Sequence, residues 1–344
     1  MSGPGVPTLL GVPFDAASSF RRGAAAAPAA IRAALTSPGG NPWTEGLVDI
    51  GAPGTLADAG DLALPTTHSP EARAAIEAGV TRLLAGGGRP IVLGGDHSIT
   101  YPVLRAMRPR HPRLSVLHVD AHPDLYEEFD GDRYSHACPF ARALEERLLD
   151  ELIQVGIRAT TASQRAQAER YGVQVIDMDA WVAGRRPAPA HPVYLSIDLD
   201  GLDPAHVPGV SHPEPGGLTV REVVTVLHRL EVPIVGADVV ELNHVRPRQQ
   251  AHAVADADVA RLRGDRAVED LRVRAVRVLL EEVVLDGPEG VEADLVAEDR
   301  LLDRVLVRPV LALRVPRSSD GDLVEERELH AQSFRPMVSA SGEG

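Results

Sequence analysis

Short runs of Val, Leu and Ile, each followed by a stretch with helical punctuation, recur from about residue 8 to residue 243. The runs Thr8–Val12, Leu47–Ile50, Ile91–Leu93, Leu114–Val119, Leu152–Ile157, Val173–Ile176, Val193–Ile197 and Ile234–Val240 read as strands. Most are apolar throughout, the pattern of strands buried on both faces, which is how parallel sheets are built. Helix signals lie between them. Ser69-Pro70-Glu71 opens one helix with proline at its first turn, and Gly86 to Gly88 close it. Thr219-Val220-Arg221-Glu222 is a capping box that opens another, running to about Leu230. The expected fold is therefore α/β, with helices over both faces of a mostly parallel sheet. Only 3% of the residues are aromatic within a hydrophobic content of 44%, so the core must be filled by aliphatic side chains.

Four of these runs lead directly into acid or histidine. Ile91-Val92-Leu93 meets Gly94-Gly95-Asp96-His97-Ser98, and Leu114–Val119 meets Asp120-Ala121-His122-Pro123-Asp124. Val193–Ile197 meets Asp198-Leu199-Asp200-Gly201-Leu202-Asp203, and Ile234–Val240 meets Glu241-Leu242-Asn243. Ligands of open α/β sheets bind beyond the carboxyl ends of the strands. Residues two apart in extended chain face one way, so Asp120, His122 and Asp124 can point together, as can Asp198 and Asp200. With His97 they make four carboxylates and two imidazoles, a charge of about −4 with neutral histidines. Carboxylates crowded in this way repel one another unless cations balance them. Two divalent ions would do so, and the oxygen-rich set suits Mn²⁺ better than zinc. Metal ions about 3.5–4 Å apart can lower the pKa of a bridging water and present hydroxide at neutral pH. That nucleophile suits a resistant electrophile such as a guanidinium carbon. Glu241 is placed to accept a guanidinium in bidentate fashion. His136, in Tyr134-Ser135-His136-Ala137, is the candidate proton shuttle.

Blander readings compete at each position. Asp198 and Asp200 would cap a turn, His136 the next helix, and Glu241 would be a plain surface acid. His118, His191 and His228 read as structural, and Asp96 and Asp203 as supports of their turns. Gly94 and Gly95 read as a tight turn and not a phosphate cradle, because no P-loop lysine follows.

Composition narrows the partners. A formal charge of −14 argues against nucleic acid reached through phosphates. No apolar run is long enough to span a bilayer, and residues 1–11 lack the form of a secretory signal. A single cysteine, Cys138, rules out an intrachain disulfide, and a cytoplasmic setting is expected.

Taken in order, these motifs resemble the ureohydrolase family of arginases and agmatinases, most of all plant-type arginases and their bacterial agmatinase relatives. The resemblance covers roughly residues 8–243. It also includes Ser18-Ser19-Phe20 with Gly23, Pro213-Glu214-Pro215-Gly216-Gly217-Leu218 and Val239-Val240-Glu241-Leu242-Asn243. It implies a three-layer αβα fold around an eight-stranded sheet, assembled as trimers or hexamers. It implies that His97 and Asp124 hold one Mn²⁺ with Asp120 and Asp198. His122 and Asp200 would complete a second, with Asp120, Asp124 and Asp198 able to bridge. Asp124 would orient the nucleophile, His136 shuttle protons and Glu241 seat the guanidinium.

The expected reaction is hydrolysis of a small guanidino compound to urea and an amine. Agmatine ranks first and arginine second, because Glu127-Glu128-Phe129-Asp130-Gly131-Asp132 is acidic and favours a cationic tail, although Arg133 can meet an α-carboxylate. The rivals are a dinuclear phosphoesterase and a non-catalytic metal-binding descendant. The second draws on residues 244–344, where His244-Val245-Arg246-Pro247 and an Arg-rich tail, with Phe334 its one aromatic, depart from the family pattern. That segment is expected to be divergent and partly disordered, and its last 30 or so residues to fray.

Overall fold

The computed structural model describes residues 5–38 and 40–243, and every structural statement below concerns these residues. The divergent segment 244–344, with its expected disorder, lies outside them.

Eight strands form one wholly parallel sheet. In chain order they are β1 (Pro7–Gly11), β2 (Ala57–Asp61), β3 (Arg89–Leu93), β4 (Ser115–Val119), β5 (Glu151–Ile157), β6 (Gln174–Asp177), β7 (Val193–Asp198) and β8 (Ile234–Val240). Across the sheet the order is β2-β1-β3-β8-β7-β4-β5-β6, every neighbouring pair parallel. Seven strands fall on expected runs. The eighth does not: Leu47–Ile50 is no strand. Trp43 and Asp49 make only an isolated bridge there, and Leu47 is 76% exposed at the tip of a turn with φ +61°. The edge is β2 instead, whose Ala-Asp-Ala-Gly-Asp carries no apolar run because it is largely exposed.

Side chains alternate across the sheet, and two apolar layers result. Leu9, Leu93, Leu117, Leu195 and Ile197 pack on one face with Ile31 of α1 (Ala27–Leu35), Trp181 of α6 (Met178–Val182) and Val223 and Leu227 of α7 (Val220–His228). Leu10, Val92, Val116 and Tyr194 pack on the other face. Their partners there are Ile76 of α2 (Pro70–Ala85), Leu104 of α3 (Thr100–Met107), Phe140 of α4 (Pro139–Glu145) and Ala168 of α5 (Ala162–Tyr171). This is the expected three-layer αβα arrangement. The caps also hold. Ser69 Oγ accepts from Ala72 N at the start of α2, and Thr219 and Glu222 close a capping box on α7.

The consequence for the site is the sheet order. The four strands that end in acid or histidine, β3, β8, β7 and β4, stand side by side in the middle of the sheet. The chain leaving β3 crosses to the α3 face and the chain leaving β7 to the α7 face. A crevice therefore opens at their carboxyl ends. Close backbone approach shapes it: a Cβ at Gly95 would lie 1.6 Å from the Phe14 carbonyl oxygen, and one at Gly201 2.7 Å from Asp120 N. Gly94 and Gly95 are a point of close contact between segments, since a Cβ at Gly94 would also lie 2.6 Å from Val240.

Candidate metal centre

All six expected ligands meet in this crevice. His97 sits on a 3-10 turn just after β3 and is fully buried. Its Nδ1 lies 2.9 Å from Asp124 Oδ2 and 3.3 Å from Oδ2 of both Asp120 and Asp198. His122, beyond β4, points its Nδ1 at Asp200 Oδ2 (3.2 Å) and Asp120 Oδ1 (3.4 Å). Asp120 is thus shared, one oxygen turned to each imidazole.

The backbone aims these carboxylates. Asp198 Oδ1 accepts from Asp200 N at 2.8 Å, Asp200 Oδ1 from Ala121 N at 3.2 Å, and Asp120 Oδ1 from His122 N at 2.6 Å. In Asp198 and Asp200 one oxygen is thereby fixed to the chain and the other faces a histidine. Arg158 braces the same turn from behind, donating to the carbonyls of Asp200 (2.7 Å), Gly201 (3.1 Å) and Glu214 (2.6 Å). Asp124 and Glu241 both adopt positive φ, +51° and +63°, unusual for residues with side chains and characteristic of functional positions.

The electrostatics are those of a cluster built for cations. Burial works against a charged ring at His97, yet Asp120, Asp124 and Asp198 hold its pKa well above the ordinary value. Burial likewise opposes charge at His122, and Asp120 and Asp200 push it up to about 12. Burial, reinforced by Asp120, raises Asp200 to about 7, and burial with the charges of Asp200 and Asp120 raises Asp198 far above its usual range. Meanwhile His97 Nδ1 is buried without a properly formed hydrogen bond despite three nearby carboxylates. An orphaned imidazole nitrogen among carboxylates, all within reach of a common point, fits divalent metal ions. Two groups of donor atoms that share Asp120 lie close enough to hold an ion, His97 with His118 and Asp120, and Asp120 with His122 and Asp200.

His118 stands beside His97 and Asp120 but is spent elsewhere. Gln154 Nε2 donates to its Nδ1 (3.0 Å), which leaves its Nε2–H to donate to Asp120 Oδ2 at 2.7 Å. It supports a ligand and is not one, in line with its structural reading. Asp96 and Asp203 also act as expected. Asp96 accepts from Ala17 N and Ser98 N, and Asp203 from Ala205, Gly216 and Gly217 N.

A cavity of about 370 Å³ opens onto the cluster. Asp124, Asp198, Asp200, His122, His136 and Glu241 line it. Glu241 is buried; its Oε1 accepts from His97 N at 3.0 Å while Oε2 has no partner. Burial, with Asp96 and Asp200 nearby, holds its carboxyl well above the usual range. Glu241 is thus no surface acid. His136 does not cap α4, whose N-cap is Cys138. Its Nδ1 lies 3.1 Å from the Ala17 carbonyl and its Nε2 3.4 Å from Ser19 Oγ. Sequence reasoning missed His212, whose ring stacks on His136 at 5.3 Å and 13°. Burial and the neighbouring His136 and His122 lower its pKa to about 4, so it is neutral at pH 7. Its signal was its place immediately before Pro213-Glu214-Pro215. A larger cavity of about 720 Å³, beside β5 and β6, contains none of the six ligands.

The acidic loop does not serve as expected. Glu127 pairs with Arg170, Asp132 with His68 and Arg133 with Glu145. The loop instead lends Phe129 to the cavity wall, beside the preceding Tyr126, and the lining also includes the neutral Ala159, Thr160, Thr161 and Gln164.

A pH dependence follows. Without metal, the surrounding carboxylates hold the His97 ring's pKa well above its ordinary value and push His122 up to about 12, while burial raises Asp200 to about 7, so protons compete with a cation for these groups. A cation must displace these protons, so affinity is expected to rise with pH and binding to release protons. Calorimetric Mn²⁺ titrations between about pH 6 and about pH 8, in buffers of differing ionisation enthalpy, measure both effects. A pH-independent affinity without proton release would contradict the assignment.

An eight-stranded parallel αβα fold with a shared carboxylate–imidazole centre at its carboxyl edge defines an arginase-like α/β protein. Residues 7–262 match the model of the arginase family. The chain is 42% identical over 253 residues to Arginase 1, mitochondrial, of Arabidopsis thaliana, covering 70% of this chain and 74% of that protein. It is 36% identical to the guanidinobutyrase of Pseudomonas aeruginosa, covering 68% and 78%. Among solved structures it resembles arginase from Medicago truncatula, with TM-score 0.70, 36% identity and coverage of 81% and 86%. The chain belongs to the arginase family.

Proposed function

We propose that the protein hydrolyses a linear guanidino compound to urea and an amine, using two Mn²⁺ ions held by His97, Asp120, His122, Asp124, Asp198 and Asp200. The observation that carries this reading is the convergence of those six side chains beside a cavity lined by four of them and by Glu241, whose buried Oε2 has no partner. When bound, such ions polarise water and supply the nucleophile. The chain's own groups do the rest. Glu241 accepts the guanidinium N–H groups in a buried setting where a charge-assisted bond is strong. Asp124, held at positive φ on the cavity wall, orients the attacking oxygen. His136 carries the proton to the departing amine, its ring kept in place by Ala17 O and by the flat stack of His212.

Nothing on the cavity wall favours agmatine over arginine, because neither the acids of the 127–132 loop nor Arg133 line it. The names of the similar plant proteins, arginases at 40–42% identity, support arginine as at least agmatine's equal. A homo-oligomer and a cytoplasmic setting are part of the proposal. No helix among the described residues is long and apolar enough to cross a membrane.

The test is urea release by purified, Mn²⁺-loaded protein from arginine, agmatine and guanidinobutyrate. Release from arginine or agmatine that depends on added metal is expected. Metal uptake without urea from any of the three would contradict the reading and favour a non-catalytic descendant.

A further inference from the structure

Behind His97 lies a buried carboxylate that this mechanism leaves unused. Asp238 and Ser196 are register partners on β8 and β7, so their side chains leave the sheet on the same face at adjoining positions. Ser196 Oγ donates to Asp238 Oδ1 at 2.7 Å and stands 2.9 Å from His97 Nε2. The other carboxylate oxygen accepts from Thr100 Oγ1 and from Tyr194 Oη, each at 2.8 Å. Asp238, Ser196, Thr100, Tyr194 and His97 are all fully buried. The hydrogen-bond partners of Asp238 are thus three hydroxyls and no cation.

The direction of these bonds determines a tautomer. A hydroxyl has one proton, and that of Ser196 goes to Asp238, so its oxygen can only accept from His97. In the neutral ring the His97 proton then sits on Nε2, which leaves the lone pair of Nδ1, the nitrogen facing Asp120, Asp124 and Asp198, for a cation. A buried carboxylate without a countercharge is costly. This one lies one serine away from the ring that would contact a cation, where its charge raises the basicity of the ligand nitrogen. His122 has nothing equivalent: its Nε2 faces only Glu214, 3.8 Å away and 41% exposed.

We propose that Asp238 is a positioning residue that acts through Ser196 to fix the His97 tautomer and tighten the grip of the cluster on a divalent ion. The inference rests on the reading of the cluster as a metal centre, and it assigns to a buried acid on β8 a role in metal affinity distinct from its role in packing.

Calorimetric Mn²⁺ titration of the full chain tests it, with Ser196→Ala, Asp238→Asn, the double variant and Tyr194→Phe. Ser196→Ala and Asp238→Asn are each expected to weaken Mn²⁺ binding by about 10–100-fold, the scale of lost outer partners of a ligand histidine. The double variant should be no weaker than the worse single one, because both interrupt one path. Tyr194→Phe removes a bond to the same carboxylate but spares the path, and should stay within about twofold of wild type. Should a variant not fold, ¹⁵N-histidine spectra of wild-type protein loaded with diamagnetic Zn²⁺ decide the matter: the proton on His97 Nε2 is expected. Affinity unchanged in a folded Ser196→Ala, additive losses in the double variant, or the proton on Nδ1 would each overturn the proposal. A wild type that binds Mn²⁺ and releases urea while Ser196→Ala binds equally well overturns this inference alone. A wild type that takes up no metal overturns the metal centre with it.

Discussion

Asp120→Asn is expected to lower kcat/KM for urea release by at least about a thousandfold, since several kcal/mol of metal-derived stabilisation depend on it and each 1.4 kcal/mol is tenfold. Asp120 is the one carboxylate within reach of both imidazoles, 3.3 Å from His97 Nδ1 and 3.4 Å from His122 Nδ1. It is also the residue His118 supports, at 2.7 Å. An amide keeps the shape but replaces one acceptor oxygen with a donor. One of the two donor sets then meets an N–H where it needs a lone pair. The charge is lost as well, although burial is offset there by His118, His122 and His97, which hold the native carboxyl well below its usual range. Steady-state kinetics at saturating Mn²⁺, with circular dichroism to confirm folding, measures the effect. A folded variant with near-wild-type turnover would remove Asp120 from the centre.

Glu241→Gln should show effects of opposite sign on binding and on stability. The carboxylate is buried with Oε2 unpartnered, and burial together with Asp96 and Asp200 raises its pKa well above the usual range. Such a group is held at a cost to the folded state until a cation reaches it. The amide is neutral and keeps an oxygen to accept from His97 N, so the Tm of the substrate-free protein should hold or rise. With the guanidinium the balance reverses, because a charge-assisted pair becomes a neutral contact. Bonds to charged groups contribute about 1.5–3 kcal/mol, so kcat/KM should fall by about 10–150-fold. Thermal denaturation beside kinetics separates the two effects. A variant with lowered Tm and unchanged kcat/KM would make Glu241 a structural acid and not the seat of the substrate.

Much of this architecture is legible in the sequence because both faces of the inner strands are covered. Uninterrupted runs such as Ile91–Leu93 and Leu114–Val119 mark themselves, and the chemistry begins where each run stops. The edge strand β2 faces solvent over most of its length, so Ala57–Asp61 carries no run, while Leu47–Ile50 forms a turn that exposes Leu47 and buries Ile50. The site divides in the same way. His97, the 120–124 trio, the 198–200 acids and Glu241 lie within a few residues of strand ends, where the sheet order gathers them, although His97 and Asp200 sit on 3-10 turns and Asp124 at positive φ instead of in extended chain. His212 lies in an irregular loop that only the fold brings onto His136. Asp238 reads along the chain as a polar break within an apolar strand. Its meaning depends on β7 lying alongside β8, where Ser196 pairs in register with a residue 42 positions further along the chain. The loop from Glu127 to Asp132 shows how composition misleads: two of its four acids pair with Arg170 and His68, none of the four lines the cavity, and its one ring, Phe129, does.

The central claim is that four carboxylates and two imidazoles from separate segments close around a pair of divalent ions. Anomalous diffraction at the manganese edge, from crystals of the full chain grown with Mn²⁺, tests it most directly. Two peaks are expected, one beside His97 and one beside His122, with Asp120 touching both. A map with no peak among these six side chains, or with manganese only at the protein surface, would contradict the account.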